Sequence, residues 1–535
     1  MSETGGYAEL NRKWGVTCKV VFGEELGELD DYGEWLQEST RPVFRRKSSV
    51  SDKTVSFVLP YYDDRARVAS LNEMDFNRKF APLSINEVKD IDSLLGAVSE
   101  RICYAGNTQL GNSQFVDEST DIIDSFYIYR SAQISFSKYV AYGYNMEYVE
   151  SVFGIINLGH CNHSIRISDS DRLTRCFETH SSEESSDLYY SHRLFSCKEC
   201  LFSFNLRNAR HLIGNLQLAP EKYFVLKGKL LPELTQKLRK EKKLPSLMEL
   251  VGNSEPDKNI LVGLGKKVQP AKKKETRMQP MENAFEKTAL VLFGRSLKGL
   301  ERYEKYLQQY IRKTTPGKSA MSRDPLVIAD YARYMDYPKN RLLTEQEAEA
   351  AGKHMRIEER DLETFDFYGA RNWIKKIGFF YPGLDHGEID NIIESQASVY
   401  STNCFRSMLN MYSKNCAYNF YELESESVFG CNSVRKSSFV IRCCLSAKLT
   451  RCFEMDSSRD CSDCYFCHNC ENVRDSMFCF NTKNKRYAIG NTELPREEYL
   501  IVKKLVLDQV WNELHATGNC HWSIFNLSAE KEKKK

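Results

Sequence analysis

The chain has 535 residues, of which 41% are hydrophobic and 28% charged, and its formal net charge is +2. This length provides for several domains with cores of their own, and the near-neutral charge gives no general attraction for nucleic acid or an anionic membrane. No apolar run approaches the roughly 20 residues that span a bilayer, and the start "MSETGGYAELNRKWG" lacks the features of a secretory signal. We therefore expect a cytoplasmic protein with no membrane partner.

In chain order, the predicted elements are β-rich stretches joined by helical additions. Short runs of aromatic and β-branched residues between polar turns predict strands, and apolar residues at helical spacing predict helices. The basic stretch "GLGKKVQPAKKKETR" indicates a linker, and "AFEKTALVLFGRSLKGLERYEKYLQQYIRK" after it predicts one long helix. The predicted segments are an N-terminal arm (1–53), a mixed α/β lead-in (54–119), a first β-solenoid (120–218), a helical cap (219–260), a basic linker (261–283), a long helix (284–316), a second mixed α/β lead-in (317–395), a second β-solenoid (396–494), a C-terminal capping helix (495–515) and a tail (516–535).

The chain contains a tandem duplication. "SVFG" occurs at 151–154 and 427–430, and "LTRCFE" occurs at 173–178 and 449–454. "NARHLIGNLQLAPEKYF" also parallels "NKRYAIGNTELPREEYL", and every pair has the same offset of 276 in sequence number. The similarity fades upstream of about residue 120. We therefore expect two copies of one structural unit.

Each copy carries a shorter repeat of about a dozen residues. "GCNSVRKSSFVI" (430–441) aligns with "NCENVRDSMFCF" (469–480) at Cys, Val-Arg, Ser and Phe. Small inward residues that stack on one another are typical of a parallel β-solenoid, or β-helix. An antiparallel β-sandwich also has short strands at roughly 8–12-residue spacing and is the alternative. The predicted fold is mainly β with helical additions: tandemly duplicated parallel β-solenoid halves joined by a helical module.

Capping helices are expected after both β-solenoids. "NTELPREEYLIVKKLVLDQVW" (491–511) has Pro495 near its first turn and an apolar stripe at helical spacing. The first-copy equivalent, "APEKYFVLKGKLLPELTQKL", starts in the same way but contains Gly228 and Pro232. Glycine and proline in a helix interior predict a break there.

Eighteen cysteines are distributed unevenly, and twelve of them follow residue 403. Four lie at three-residue steps: Cys461, Cys464, Cys467 and Cys470. Their counterparts in the first copy are Ser185, Leu188, Ser191 and Leu194. Serine and leucine cannot replace thiolate ligands, but they can replace buried cysteine in a packed core. We therefore expect packing and no cofactor, with zinc or an iron–sulfur cluster on these four cysteines as the alternative.

The segment "NVRDSMFCFNTKNKRYAIGNTELPREEYL" (472–500) resembles the C-terminal signature of uncharacterised Cys-rich repeat proteins of uncultivated bacteria and small-genome archaea. The matching residues are Phe478, Cys479, Asn481, Asn484, Tyr487, Ile489, Asn491, Glu498 and Tyr499. The first copy matches at Asn205, Asn208, His211, Ile213, Asn215 and Tyr223. Many bacterial members begin with a zinc ribbon, whereas this chain has only Cys18 near its start. The resemblance implies a β-solenoid and a host type, but no activity.

Polar residues kept in both copies are the candidates for catalysis. They are Glu454, Asp463 and His468, with their copies Glu178, Asp187 and His192. A pair of carboxylates could perform acid–base chemistry on a glycan. In the structural alternative, Arg175 and Arg451 form surface ion pairs with the glutamates three residues on, and the Asp and His side chains bond turns. No P-loop, H-E-x-x-H or G-x-S-x-G motif occurs, so we assign no catalytic residue.

These observations favour a non-catalytic scaffold that presents two duplicated surfaces to a protein or an extended polymer. Three alternatives remain: a metal- or iron–sulfur-binding protein, a carbohydrate-active β-helix enzyme, and a nucleic-acid-binding protein. The basic stretches "RPVFRRKSSVSDK" and "KKVQPAKKK" lie in predicted linkers. Because phosphate binding needs clustered basic side chains on a folded surface, nucleic acid is not expected as the partner.

Overall fold

The computed structural model describes residues 5–76, 78–84, 87–252, 254–268, 275–363, 365–383, 385 and 387–528. Most of its strands belong to two large sheets. We call residues 109–217 the first β unit and residues 390–493 the second β unit. In the described ranges, no helix is both long enough and apolar enough to cross a membrane.

Helices precede and follow each β unit. They are α1 (Gly6–Phe22), α2 (Gly33–Gln37), α3 (Ile91–Val98), α4 (Pro220–Glu241), α5 (Leu247–Val251), α6 (Lys258–Gly265), α7 (Gln279–Phe293), α8 (Glu304–Leu307), α9 (Glu345–His354), α10 (Phe367–Ile377) and α11 (Arg496–Thr517). Six strands lie outside the β units: β1 (Phe44–Lys47), β2 (Thr54–Phe57), β3 (Val68–Ser70), β4 (Tyr104–Gly106), β19 (Thr314–Lys318) and β20 (Pro325–Ala329). The pairs β1–β2 and β19–β20 are antiparallel hairpins, and β3–β4 is parallel.

The first β unit contains β5 (Gln109–Leu110), β6 (Gln114–Asp117), β7 (Thr120–Ile123), β8 (Phe126–Tyr129), β9 (Ala132–Ser135), β10 (Lys138–Glu147), β11 (Glu150–Gly159), β12 (Asn162–Asp171), β13 (Phe177–His180), β14 (Ser186–Phe195), β15 (Lys198–Leu201), β16 (Phe204–Arg207), β17 (Arg210–Ile213) and β18 (Leu216–Gln217). Neighbouring strands are parallel, except that β17 and β18 form an antiparallel pair. The first β unit begins at residue 109, earlier than the predicted start of the first β-solenoid at residue 120.

The second β unit contains β21 (Asp390–Ile393), β22 (Gln396–Val399), β23 (Thr402–Phe405), β24 (Met408–Met411), β25 (Lys414–Ala417), β26 (Phe420–Leu423), β27 (Glu426–Phe429), β28 (Asn432–Arg435), β29 (Ser438–Ile441), β30 (Cys444–Ala447), β31 (Thr450–Asp456), β32 (Ser462–Glu471), β33 (Arg474–Met477), β34 (Phe480–Lys483), β35 (Ala488–Ile489) and β36 (Thr492–Glu493). It ends like the first unit, with an antiparallel pair, β35 and β36.

Most strand pairs of the parallel ladders share one constant register, a shift of 12 in sequence number. Val140 pairs with Val152 in the first unit, and Val440 pairs with Cys452 in the second. The offset of 276 between the two copies is a whole multiple of 12, so equivalent residues hold equivalent places in both ladders. The mainly β fold with helical additions is confirmed, and the antiparallel sandwich is wrong.

Every third residue of the β units adopts a left-handed backbone conformation. Asp463, Phe466 and Asn469 have φ values of 55°, 54° and 50°. Positive φ is uncommon outside glycine, and here it turns the chain after each group of three residues. Residues three apart therefore face the same side, although they would face opposite sides in a regular extended strand. Because of this turn, the four cysteines at three-residue steps all face the interior of the second β unit.

The residues that face inward form an inner core in each β unit. The inner core of the first unit is mainly aliphatic, with Ile122, Ile128 and Ile134 on successive strands, whereas that of the second unit is rich in cysteine. Inward hydroxyls and thiols also bond the backbone. The N–H of Ser137 donates to Ser125 Oγ at 3.0 Å, and the N–H of Cys443 donates to Cys431 Sγ at 3.2 Å. Serine and cysteine thus accept the same kind of backbone hydrogen bond at these positions.

A helix covers the same face of each β unit. Trp14 of α1 packs edge-on against Phe153 of the first β unit, with ring centroids 5.1 Å apart. Phe285 of α7 packs in the same way against Phe429 of the second unit at 5.2 Å. Phe153 and Phe429 are related by the offset of 276, so each copy includes the helix that covers the same face of its β unit.

Two helix predictions are wrong. The predicted long helix at 284–316 ends instead at Gly294, which has a φ of 73°, and the chain resumes as a short turn and α8. The predicted break in the first cap does not occur, because α4 continues through Gly228 and Pro232. Its buried face, including Leu230 and Leu234, outweighs the hydrogen bond lost at proline.

The two halves exchange their lead-in segments. Ala105, from the first half, donates its N–H to His468 Nε2 of the second β unit at 2.9 Å. Tyr381, from the second half, donates its N–H to His192 Nε2 of the first unit at 3.2 Å. The two donors are related by the offset of 276, and so are the two acceptors. A second reciprocal pair joins Asn481 Nδ2 to the Cys103 carbonyl at 2.7 Å and Asn205 Nδ2 to the Phe379 carbonyl at 3.0 Å.

Candidate functional site: a cleft between the two β units

A cleft of about 760 Å³ lies between the two β units. Both halves line it, together with Tyr331 of the second lead-in. Its residues from the first unit include Asn145, Glu147, Tyr148, Asn157, His160, Asp169, Asp171, Arg172, Glu183, Glu184, Phe195 and Arg207, and those from the second unit are Val399, Tyr400, Met411, Tyr412, Tyr421, Leu423 and Arg435. We call this feature the inter-unit cleft.

The 12-residue register arranges the cleft residues in rows. Residues related by this register lie side by side on neighbouring strands, so similar side chains stack. Tyr148 stacks on His160 with centroids 5.1 Å apart, and Tyr400 stacks on Tyr412 at 5.4 Å. Tyr412 remains 57% exposed. The cleft therefore presents aromatic rows from both units.

The two walls of the inter-unit cleft differ in chemistry. Val399, Met411 and Leu423 are register partners on strands that neighbour one another in the sheet, and they form an aliphatic row on the second-unit wall. The first-unit wall carries four carboxylates and two guanidinium groups: Glu147, Asp171, Glu183, Glu184, Arg172 and Arg207. Glu147 also pairs across the cleft with Arg435 at 3.4 Å. The second-unit wall thus combines an aliphatic row that ends at Arg435 with the rings of Tyr400 and Tyr412, whereas the first-unit wall carries most of the charge.

The floor of the cleft contains a buried amide and a buried carboxyl group. Asn145 Nδ2 donates to Asn157 Oδ1 at 2.8 Å, but Asn157 Nδ2 has no hydrogen-bond partner among the described residues. Asp169 accepts hydrogen bonds from Tyr334 and, at 3.5 Å, from Ser181. Burial raises the pKa of Asp169 to about 6. The floor therefore combines an unused donor with a carboxyl group that titrates near neutral pH.

The two candidate catalytic glutamates are buried in ion pairs. Glu454 accepts from Arg442 Nε at 2.8 Å, from the Tyr306 hydroxyl at 3.1 Å and from the Ile524 N–H at 2.9 Å. Glu178 accepts from Arg166 Nε at 2.8 Å. The predicted surface pairs with Arg175 and Arg451 are therefore wrong, because each glutamate pairs instead with the arginine 12 residues before it.

Each buried pair holds external segments against its β unit. Arg166 donates to the Trp35 carbonyl while Glu178 accepts the Leu247 N–H at 3.0 Å. Burial opposes ionisation of Glu178, but the guanidinium groups of Arg166 and Arg333, with His180, hold its pKa well below the ordinary range. A carboxylate saturated in this way is suited to holding structure and not to proton transfer.

The candidate aspartates pair with Arg451 and Arg175, the two arginines that were expected to pair with the glutamates. Arg451 donates to both carboxylate oxygens of Asp463 at 2.8 and 2.6 Å, and Arg175 does the same to Asp187 at 2.9 and 2.7 Å. Such two-bond pairs are geometrically specific and strong. The members of each pair lie 12 residues apart, so each pair links positions that the register places side by side.

The candidate histidines hold the exchanged segments. Because His468 Nε2 accepts the Ala105 N–H, its Nδ1 carries the proton and donates to Asp456 Oδ2 at 2.8 Å. Burial lowers the pKa of His192 well below its ordinary value, which keeps this ring neutral and able to accept from Tyr381. Glu454, Asp463 and His468 thus serve three different sets of partners and form no common acid–base group.

The four spaced cysteines all lie in the inner core of the second β unit. Each thiol is buried and lies within hydrogen-bonding reach of two carbonyls, one two residues before it and one nine residues after it. The distances are 3.2–3.5 Å to the first carbonyl and 3.3–3.9 Å to the second. Burial raises the pKa of Cys464 and Cys470 well above the ordinary value. In the part of the chain that the structure describes, no group of three or more His, Cys, Asp or Glu could hold a metal ion.

A carboxyl group in the inner core of the second β unit escaped the sequence analysis. Glu422 is fully buried, and neither of its carboxyl oxygens has a hydrogen-bond partner of ordinary geometry among the described residues. Its register partner Asn410 likewise has an unpartnered Oδ1. Burial raises the pKa of Glu422 to about 7, against weaker opposing effects of Cys416 and Asn419. The 12-residue period, applied to Glu422, would have placed it inward.

Comparison with protein-family models, with curated proteins and with solved structures finds no match to this chain.

Proposed function

We propose that this protein is a non-catalytic binding scaffold that holds an extended partner in the inter-unit cleft. The observation that carries the proposal is the cleft itself, which both halves line with continuous rows of side chains. Its length supports an extended partner, because the row from Glu147 to Arg207 crosses six neighbouring strand positions. At about 4.8 Å per strand, this row measures roughly 24 Å.

We further propose that each β unit is a parallel β-solenoid whose four-sided coils each span one 12-residue register. The constant register and the left-handed residue at every third position support this architecture. Stacked coils repeat the same outward position at each level, and natural solenoids use such rows for binding. The resemblance of residues 472–500 to the Cys-rich repeat proteins is compatible with this architecture. Membership of that family stays a prediction.

The proposal includes a cytoplasmic, reducing location. Its support is that thiols act here as reduced hydrogen-bonding groups: Cys470 donates to a carbonyl, and Cys431 accepts from a backbone N–H. Reduced cysteines persist in such compartments. The absence of a catalytic role is supported by Glu454, Asp463 and His468, whose polar atoms already serve structural contacts.

The test is affinity purification from the native host with the full chain and two variants. Tyr412→Ala removes an exposed ring from the cleft, and Tyr368→Ala removes a ring with 55% exposure on α10 as a matched control. We expect the wild type and the control to retain the same intact partner and Tyr412→Ala to lose it. Recovery of a processed small molecule or a cleaved glycan, or equal retention by both variants, would overturn the proposal.

A further inference from the structure

We infer that the inter-unit cleft binds an extended polypeptide segment in which apolar and basic residues alternate. This inference rests on the proposed scaffold function and specifies the chemistry of the partner. In an extended peptide, successive side chains point in opposite directions. A cleft with an aliphatic row on one wall and mainly charged side chains on the other matches that alternation, since each wall receives every second side chain.

The aliphatic row selects the apolar side chains. Val399, Met411 and Leu423 are each half-buried and lie in register on neighbouring strands. The phosphate groups of a nucleic acid and the hydroxyl groups of a sugar chain would find no polar partner in this row. An aliphatic side chain of a peptide would bury against it and gain hydrophobic stabilisation.

The opposite wall selects basic side chains because its carboxylates outnumber its guanidinium groups. Four carboxylates and two arginines lie on this wall; Arg172 contacts Glu184 at 3.0 Å and Asp171 at 3.6 Å, and Glu147 contacts Arg435 of the second unit at 3.4 Å. With Arg435 included, the carboxylates still outnumber the guanidinium groups by one, so the wall keeps a net negative charge. Burial raises the pKa of Asp171, so a lysine placed beside it would favour its ionised form. An acidic polymer would meet repulsion at the same wall.

The length of the cleft sets the length of the bound segment. At about 3.3 Å per residue, the row of roughly 24 Å accommodates about seven extended residues.

The experiment measures fluorescence polarisation with the full-length protein and labelled nine-residue peptides. The probes alternate Lys with Val, Glu with Val, and Lys with Gly. We expect the Lys/Val peptide to bind at least tenfold more tightly than either of the others, and its affinity to fall as salt is added. Equal affinity for the Lys/Val and Glu/Val peptides, or no Lys/Val binding at about 1 mM protein, a concentration at which even weak complexes form, would overturn the inference.

Variants locate the binding. Glu183→Lys/Glu184→Lys should weaken Lys/Val binding at least tenfold, and Met411→Gln should weaken it severalfold. The matched control is Glu497→Lys/Glu498→Lys, which changes two adjacent exposed glutamates on α11 and should alter affinity less than twofold. Circular dichroism and thermal unfolding establish that each variant is folded. Equal affinities of the cleft variant and the control would also overturn the inference.

Two further probes separate this inference from the proposed function. Oligothymidylate and a cellulose hexasaccharide represent other extended polymers. If one of them binds in a manner that depends on Met411 while the peptides do not, the peptide inference fails and the scaffold proposal survives. If Tyr412→Ala also leaves partner retention from the native host unchanged, both fail.

Discussion

Replacement of Glu422 by glutamine should stabilise the protein at neutral and alkaline pH. Glutamine keeps the shape of the glutamate side chain and cannot ionise. Its amide can donate to the unpartnered Oδ1 of Asn410 on the neighbouring strand. The native side chain can make an equivalent donation only while it is protonated.

The magnitude follows from the pKa of Glu422, which burial raises from 4.5 to about 7. The native state therefore binds a proton that the unfolded chain has lost, and wild-type stability falls as the pH rises from about 4.5 to about 7. Each pH unit of that difference is worth about 1.36 kcal/mol, so the ionised carboxylate destabilises the native state by about 3 kcal/mol above pH 7. Below pH 4.5 both states are protonated and the effect disappears.

The assay is urea denaturation of wild type and Glu422→Gln at pH 4.5 and pH 8, followed by far-UV circular dichroism. We expect the two proteins to agree within about 1 kcal/mol at pH 4.5 and the variant to be more stable by about 2–3 kcal/mol at pH 8. Glu424→Gln is the matched control. Its exposed carboxylate lies 3.7 Å from Lys436, and its loss should change stability by no more than about 0.5 kcal/mol at either pH. A stability difference for Glu422→Gln that is the same at both pH values would refute the reasoning.

Three further predictions concern the contacts that hold the β units. Arg442→Met should destabilise the protein by about 3–5 kcal/mol in urea denaturation, because it leaves Glu454 buried without its ion pair. The double variant Arg442→Met/Glu454→Leu should recover part of that loss. Additive effects of the two substitutions would contradict this prediction. Cys467→Ser should change the free energy of unfolding by less than about 1.5 kcal/mol, since its hydroxyl can accept the Cys479 N–H as Ser191 accepts that of Ser203. Cys467→Val, which cannot accept this bond, should cost about 1–3 kcal/mol. Equal losses for the two variants would show that the bond does not contribute to stability. His468→Phe should speed hydrogen exchange at the Ala105 amide at least tenfold, as measured by mass spectrometry, while exchange at the Tyr381 amide stays unchanged. Equal acceleration at both amides would indicate general unfolding and contradict this prediction.

The sequence was sufficient to predict a mainly β protein, parallel pairing and a duplicated framework. The reason is physical: a parallel ladder with a constant register places the same residue types at the same interval, so the inward Cys and Ser positions repeat visibly. The left-handed residue at every third position could not be predicted from composition, because residues such as Phe466 and Arg451 have no intrinsic preference for it. Stacking on neighbouring strands outweighs their local preference.

The candidate site was less accessible to sequence analysis because it depends on contacts between distant segments. Glu147 and Arg435 meet across the inter-unit cleft although 288 residues separate them. The pairing of Arg442 with Glu454 did have a signal, since the two lie 12 residues apart and recur as Arg166 and Glu178. Helical or i, i+3 spacing does not relate the two residues, because the relevant interval is that of the ladder.

The reciprocal exchange of lead-in segments has a consequence for protein synthesis. Ala105 leaves the ribosome 363 residues before His468, its partner in the other half. At roughly 5–20 residues per second, the interval lasts about 20–70 seconds. During that time Tyr62 and Tyr104, which are buried in the finished protein, lack the surface that covers them. The nascent first half therefore has to be kept from aggregating until translation of the second β unit is almost complete.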